Sequence, residues 1–203
     1  MTTELHEARL AAVVGAVQET GARTILDLGC GSGDLILRLM LLPSITRITA
    51  LDTDLASLRI LQTRIADLPA DTRSRVQIAQ ASMTRAHRNL RGHDCACLVE
   101  TIEHLPQCDL NRLERALFAD MRPRHVIVTT PNAEYNPVLG VPAHRFRHPD
   151  HHFEWTRDRF GHWADGVAAR NGYSVTRRDI AGAHPALGGA SQMALFRRSD
   201  RDT

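Results

Sequence analysis

TILDLGCGSGD, residues 24–34, decides the fold. TILDLG reads as a short buried strand, glycines 29, 31 and 33 follow at alternate positions, and DLILRLMLL (34–42) then takes up helical spacing. Glycines at such a handover let the backbone turn tightly and approach a ligand with no Cβ in the way. The GxGxG spacing alone fits a nucleotide loop or a mere tight turn. Two acids sharpen it: Asp27, two residues before the first glycine, and Asp52, which closes the next apolar run, RITALD (47–52). An acid at the end of a second strand can accept both ribose hydroxyls of an adenosine.

Outward from this stretch the pattern alternates. Residues 4–19 place Leu5, Leu10, Val13, Val14 and Val17 at helical spacing, and 55–68 and 109–121 form two further amphipathic segments. Strands are expected at 76–80, 95–100, 125–130, 173–180 and 192–198, with a helix over 156–172. Alternation of this kind predicts an α/β fold, a seven-stranded mostly parallel sheet with helices on both faces, whose last two strands form an antiparallel edge pair. The expected organisation is one domain over 1–203, opened by an N-terminal helix within 1–23. Its rhythm breaks at 131–155, where four prolines and four histidines crowd residues 131–152. A loop this long inside a compact domain points to function.

Bulk properties narrow the classes. The chain has 203 residues, 43% apolar and 24% charged, with a net charge of only +2. Any anionic partner is therefore held by a local patch and not by a global field. All 25 Lys+Arg residues are arginine, whose planar fork suits phosphate, although coding bias explains the same count. The four cysteines (Cys30, Cys95, Cys97, Cys108) lack CxxC spacing and read as free thiols. No signal core or apolar run of about 18 residues occurs, so no membrane contact is expected and a cytoplasmic location is.

ETIEH follows the fourth strand with Glu100, Glu103 and His104. If it turns helical, positions i, i+3 and i+4 share one face and two carboxylates converge with an imidazole. Crowded acids repel unless a cation sits between them, yet an EHLP-like stretch also occurs where no metal is used. The segment HPDHHFEWTRDRF (148–160) lies just after strand five, whose carboxyl end neighbours that of strand four. His148, His151 or His152 can therefore complete a site with the ETIEH side chains. Two carboxylates and two imidazoles leave two open positions on an octahedral ion, Mg²⁺ by its oxygen ligands, Mn²⁺ or Co²⁺ by its nitrogens. The vicinal hydroxyls of a ribose fit those positions, and His148 is a candidate base.

DLGCGSGD resembles the S-adenosylmethionine loop of class I methyltransferases. That resemblance puts Asp27 and the backbone of Gly29, Gly31 and Gly33 beside the amino-acid part of S-adenosylmethionine, Asp52 on its ribose, and Ser82 and Met83 at its adenine. Together, ETIEH, TTPNAEYN (129–136) and RHPDHHFEWTRDRF (147–160) resemble the small-RNA 3′-terminal ribose 2′-O-methyltransferases, the Hua-enhancer type, over most of the chain from Thr24 to Tyr173. The resemblance implies a Rossmann-like class I methyltransferase fold and methyl transfer to the 2′-OH of the 3′-terminal nucleotide of RNA. It implies Mg²⁺ or Mn²⁺ held by Glu100, Glu103, His104 and His151. Arg145, Arg147, Arg157 and Arg159 are candidate clamps for the terminal phosphate, and Asn132, Glu134 and Tyr135 either touch the terminal nucleotide or form a loop corner.

Such relatives often carry a further RNA-binding domain ahead of the methyltransferase, and about 23 residues precede the first strand here. Contact with a terminal nucleotide or two is therefore expected, with affinity borrowed from a partner such as an RNA repair complex, and no DNA. Two rival readings share the fold. One is a small-molecule O-methyltransferase acting on a catechol-like hydroxyl pair, which needs an apolar acceptor pocket. The other is a non-catalytic cofactor-binding or RNA-docking subunit, which does not need all four ligand positions.

Overall fold

A computed structural model describes residues 4–85 and 90–199. Among these residues, seven strands form one sheet: β1 (Thr24–Leu28), β2 (Arg47–Asp52), β3 (Val76–Gln80), β4 (Cys95–Val99), β5 (His125–Pro131), β6 (Tyr173–Ile180) and β7 (Ser191–Arg198). Their order is β3-β2-β1-β4-β5-β7-β6. The first five pair in parallel, and β7 runs antiparallel to both β5 and β6. The last two strands are thus the expected antiparallel pair, with β7 inserted inside the sheet and β6 left at the edge.

Each central strand divides its apolar residues between two cores, as a period of two requires. Ile25, Cys95, Cys97 and Ile127 meet the helices α1 (Glu4–Thr20), α2 (Asp34–Leu39) and α3 (Leu55–Ala66) through Val13, Val17, Ile36 and Leu61. Leu26, Leu28, Ala96, Leu98, Val126 and Val128 face the other side. There they meet α5 (Leu110–Glu114), which runs on as a π-helical segment over Arg115–Met121, and α6 (Arg157–Asn171). A single turn, α4 (Ala70–Arg73), precedes β3. Helices on both faces explain why the inner parallel strands read as largely apolar runs, whereas β3, at the edge, alternates.

Local chemistry sets the boundaries. Asp54 caps α3 by accepting from the backbone N–H groups of Ala56 and Ser57, and Thr156 caps α6 by accepting from Arg159. Two elements depart from the periodicity. The helix expected over 34–42 stops at Leu39 and leaves Leu41 80% exposed, and the one expected over 109–121 changes to π geometry half-way. Among the described residues, no helix is long and apolar enough to cross a membrane.

Because β1, β2, β4 and β5 are parallel, their carboxyl ends lie on one edge. Glycine is needed twice there. Gly29 (φ +78°) packs so closely on Thr101 that a Cβ would overlap its methyl group, and Gly33 (φ +87°) does the same against Leu61. The long segment after β5 is ordered by its own polar side chains. Buried Asn132 accepts from the Glu134 N–H and donates to the carbonyls of Leu187 and Gly189, starting a 3₁₀ segment over Ala133–Leu139.

Candidate active site

At the end of β2, the Asp52 carboxylate accepts from the Gly31 N–H at 2.8 Å and from the Asp54 N–H at 2.9 Å. These bonds tie the glycine turn to the second strand and leave lone pairs for a ligand. The cleft beside it, of about 380 Å³, is lined by Gly29, Gly31, Asp52, Ser82 and Met83 on one side and by Glu100, Thr101 and His104 on the other. A second cavity of about 270 Å³ shares Gly29, Gly31 and Glu100 and adds His6, Arg9, Asp27 and Ser32. The cleft thus continues around the glycine turn. Asp27 is buried, its Oδ2 has no hydrogen-bond partner among the described residues, and burial followed by the charge of Asp52 pushes its pKa up to about 7. Gly33 lines neither cavity; its place is the contact with Leu61. Burial likewise pushes the Cys30 thiol up, away from nucleophilic character.

ETIEH does not form the expected α-helical face. Glu100 is left-handed (φ +50°), and only Ile102–His104 turn, as a 3₁₀ helix. The Glu100 carboxylate accepts from Thr129 Oγ1 at 3.0 Å and Ser191 Oγ at 3.3 Å and pairs with Arg9 Nη2 at 3.2 Å. Glu103 is fully buried. Its Oε2 accepts from Thr130 Oγ1 at 3.0 Å, while Oε1 has no partner among the described residues. Desolvation, reinforced by Glu100, raises its pKa well above the carboxylate range.

The segment 148–155 folds over this turn, anchored by the His152 N–H donating to the Glu103 carbonyl at 2.8 Å and by Phe153 stacked on Trp155. It carries His151 to a ring-centroid distance of 4.8 Å from His104. One nitrogen each of His104, His148 and His151 lie within 4.8 Å of one another. His104 is pushed towards the neutral form by desolvation and then by His151 and His148, which suits a metal ligand. His151 approaches Glu154 Oε1 through Nδ1 at 2.6 Å, which frees Nε2. Glu154 also accepts from Asn136 Nδ2 and the Arg147 N–H, and these bonds outweigh its desolvation and hold its carboxyl below the usual range.

Among the described residues the structure therefore brings together His104, His148 and His151. Of the expected carboxylate ligands, Glu100 is turned to Arg9, Thr129 and Ser191, and Glu103, bonded to Thr130, stands outside the imidazole cluster. The donor set still fits a divalent ion: imidazoles converge, and the buried Glu103 Oε1 lacks the partner that a buried polar atom requires. Glu154 emerges as the residue that holds His151, and Arg9, from α1, as the cation beside Glu100. No local sequence signal marks Arg9. Three of the four candidate phosphate clamps are spent inside the protein. Arg147 binds Asn136 and the carbonyls of Asn132 and Ala190, Arg157 pairs with Glu134, and Arg159 bonds Gln107 and lies over Trp155. Asn132 and Glu134 are loop corners, and Tyr135 is buried.

Residues 25–124 match a methyltransferase domain family. The methyltransferase domain of bacterial CtHen1 is 37% identical, with a TM-score of 0.87 over 96% of this chain and 99% of that one. This chain belongs to the Hen1 methyltransferase family. The small RNA 2′-O-methyltransferase of Gallus gallus is 34% identical over 86% of this chain and 48% of its own length. The chain spans about half the length of the curated relatives it matches. A chain of the Pnkp1/Rnl/Hen1 RNA repair complex, 22% identical, shares the fold with a TM-score of 0.70 over 98% of this Hen1-family chain and 42% of its own.

Proposed function

We propose that this chain methylates the 2′-OH of the 3′-terminal nucleotide of RNA with S-adenosylmethionine as donor, assisted by Mg²⁺ or Mn²⁺. The observation that carries the reading is shared lining: Glu100 and His104 border the cleft that Asp52 and the glycine turn enclose, and His104 also belongs to the imidazole cluster. A hydroxyl held at the cluster thus faces a donor held at the turn.

Glu103, His104 and His151 would hold the ion, and Glu100 would join them by turning its carboxylate from Arg9. When bound, the ion supplies Lewis acidity that lowers the pKa of a ribose hydroxyl. Asp52 accepts hydroxyls of the donor's ribose, and Ser82 and Met83 border its adenine. Asp27 and Gly31 face the donor's amino-acid end. His148, a solvent-exposed member of the cluster, takes the proton from the attacking 2′ oxygen. The 2′ oxygen forms its bond to the methyl carbon as the carbon–sulfur bond breaks, and the sulfur keeps that electron pair. With a net charge of +2, binding of the RNA body rests on a partner such as a repair complex.

The test is a short RNA given labelled donor and Mn²⁺ beside versions ending in a 2′-deoxy or 3′-phosphate nucleotide. Label on the terminal 2′ oxygen of the first RNA and none on the 2′-deoxy RNA is expected. Equal labelling of the 2′-deoxy RNA, or transfer to a catechol but to no RNA, overturns the reading.

A further inference from the structure

Behind the imidazole cluster lies a groove that the reaction as described does not use. It measures about 430 Å³, within the usual range for ligand pockets, and runs between the 3₁₀ segment and residues 141–146. Pro137, Val141 and Pro142 make apolar walls, and Phe146 stands 46% exposed at its edge. Glu154 lines the groove and holds His151 through Nδ1, so one carboxylate joins groove and cluster. Arg145 lines it too, and among the described residues no carboxylate pairs with its guanidinium. Of the four arginines around the loop, Arg145 is the one left for an anion among the described residues.

An exposed aromatic ring beside an unpaired guanidinium has the chemistry of a single-stranded nucleic-acid platform, in which a base stacks on the ring and the cation meets the backbone. An RNA whose last ribose lies at the cluster must run on from it by way of its next phosphate. The groove is a surface that meets the cluster at Glu154, and the Arg145 guanidinium on it complements that phosphate. We infer that this groove seats the nucleotide preceding the one methylated, with its base stacked on Phe146 and its phosphate on Arg145. The inference rests on the terminal-ribose reading and adds a second nucleotide subsite to it.

The test uses a short RNA with 2-aminopurine at the penultimate position, and a matched RNA that is abasic there, with wild-type, Phe146→Ala and Phe146→Tyr proteins. Fluorescence quenching on binding is expected for wild type and Phe146→Tyr and is lost in Phe146→Ala. The abasic RNA binds wild type about tenfold more weakly, and Phe146→Ala binds the two RNAs alike. Undiminished quenching in Phe146→Ala, or the same preference for the intact RNA in both proteins, overturns the inference. Terminal methylation is followed in the same samples. Methylation without Phe146-dependent discrimination defeats the groove alone, whereas Phe146-dependent quenching without methylation defeats the activity and leaves the groove standing.

Discussion

His151 Nδ1 stands 2.6 Å from Glu154 Oε1, and the two side chains are 7% and 1% exposed. A carboxylate so enclosed, with two further donors, fixes the orientation and tautomer of the ring it touches. Glu154→Ala is therefore expected to lower Mn²⁺ affinity roughly 10- to 100-fold, and Glu154→Gln, which keeps an acceptor oxygen, by less. Calorimetric titration reads both, and equal affinities in the three proteins would deny Glu154 any part in orienting the ligand.

Asp27 predicts a pH dependence. Its pKa is raised by burial, and then by Asp52, from 3.8 to about 7. The folded state therefore binds more protons than the unfolded chain between about pH 4 and 7. This group's contribution to stability is full below that window and is lost as pH rises through it, by on the order of 4 kcal/mol. Asp27→Asn should match wild type near pH 4 and exceed it at pH 8 in urea denaturation. A variant no more stable than wild type at pH 8 would show that Asp27 ionises without penalty.

The glycine turn makes a steric prediction. Gly29→Ala places a side chain at φ +78° against the Thr101 methyl group and should cost more than about 1 kcal/mol. Thr101→Ser deletes that methyl and keeps the hydroxyl that donates to the Val99 carbonyl. The double variant should recover part of the loss in the urea midpoint. Purely additive losses would place the strain elsewhere.

Arg9 competes with any cation for Glu100. Arg9→Ala leaves a carboxylate of 17% exposure without its counter-charge and should destabilise the metal-free protein by about 1–3 kcal/mol. Saturating Mn²⁺ should then raise Tm more in the variant than in wild type, because the ion no longer displaces a guanidinium. An identical rise in both would separate Glu100 from the metal.

Much of this was legible in the chain itself. The strand runs, the glycine turn after β1 and Asp52 at the end of β2 follow from local patterns that burial on both sheet faces enforces. The antiparallel pairing of the last two strands was expected too, but not which of them lies inside; the structure gives the inner place to apolar SQMALF in β7 and the edge to VTRRDI in β6, which carries the polar residues. Other features depend on tertiary contacts. The left-handed Glu100 breaks the assumed helical face of ETIEH, because its N–H turns to Thr129 on the neighbouring strand. Arg147 looks like a surface cation but is drawn inward by two backbone carbonyls and Asn136. Arg9 lies 91 positions from the carboxylate it meets, beyond the reach of any local pattern.

The central claim is that one divalent ion joins ETIEH to the histidine segment. Anomalous diffraction from crystals soaked in Mn²⁺ tests it most directly. A peak bonded to Glu103, His104 and His151, absent in His151→Ala, is the predicted result. Crystals of the active protein with no manganese among those side chains would contradict the account.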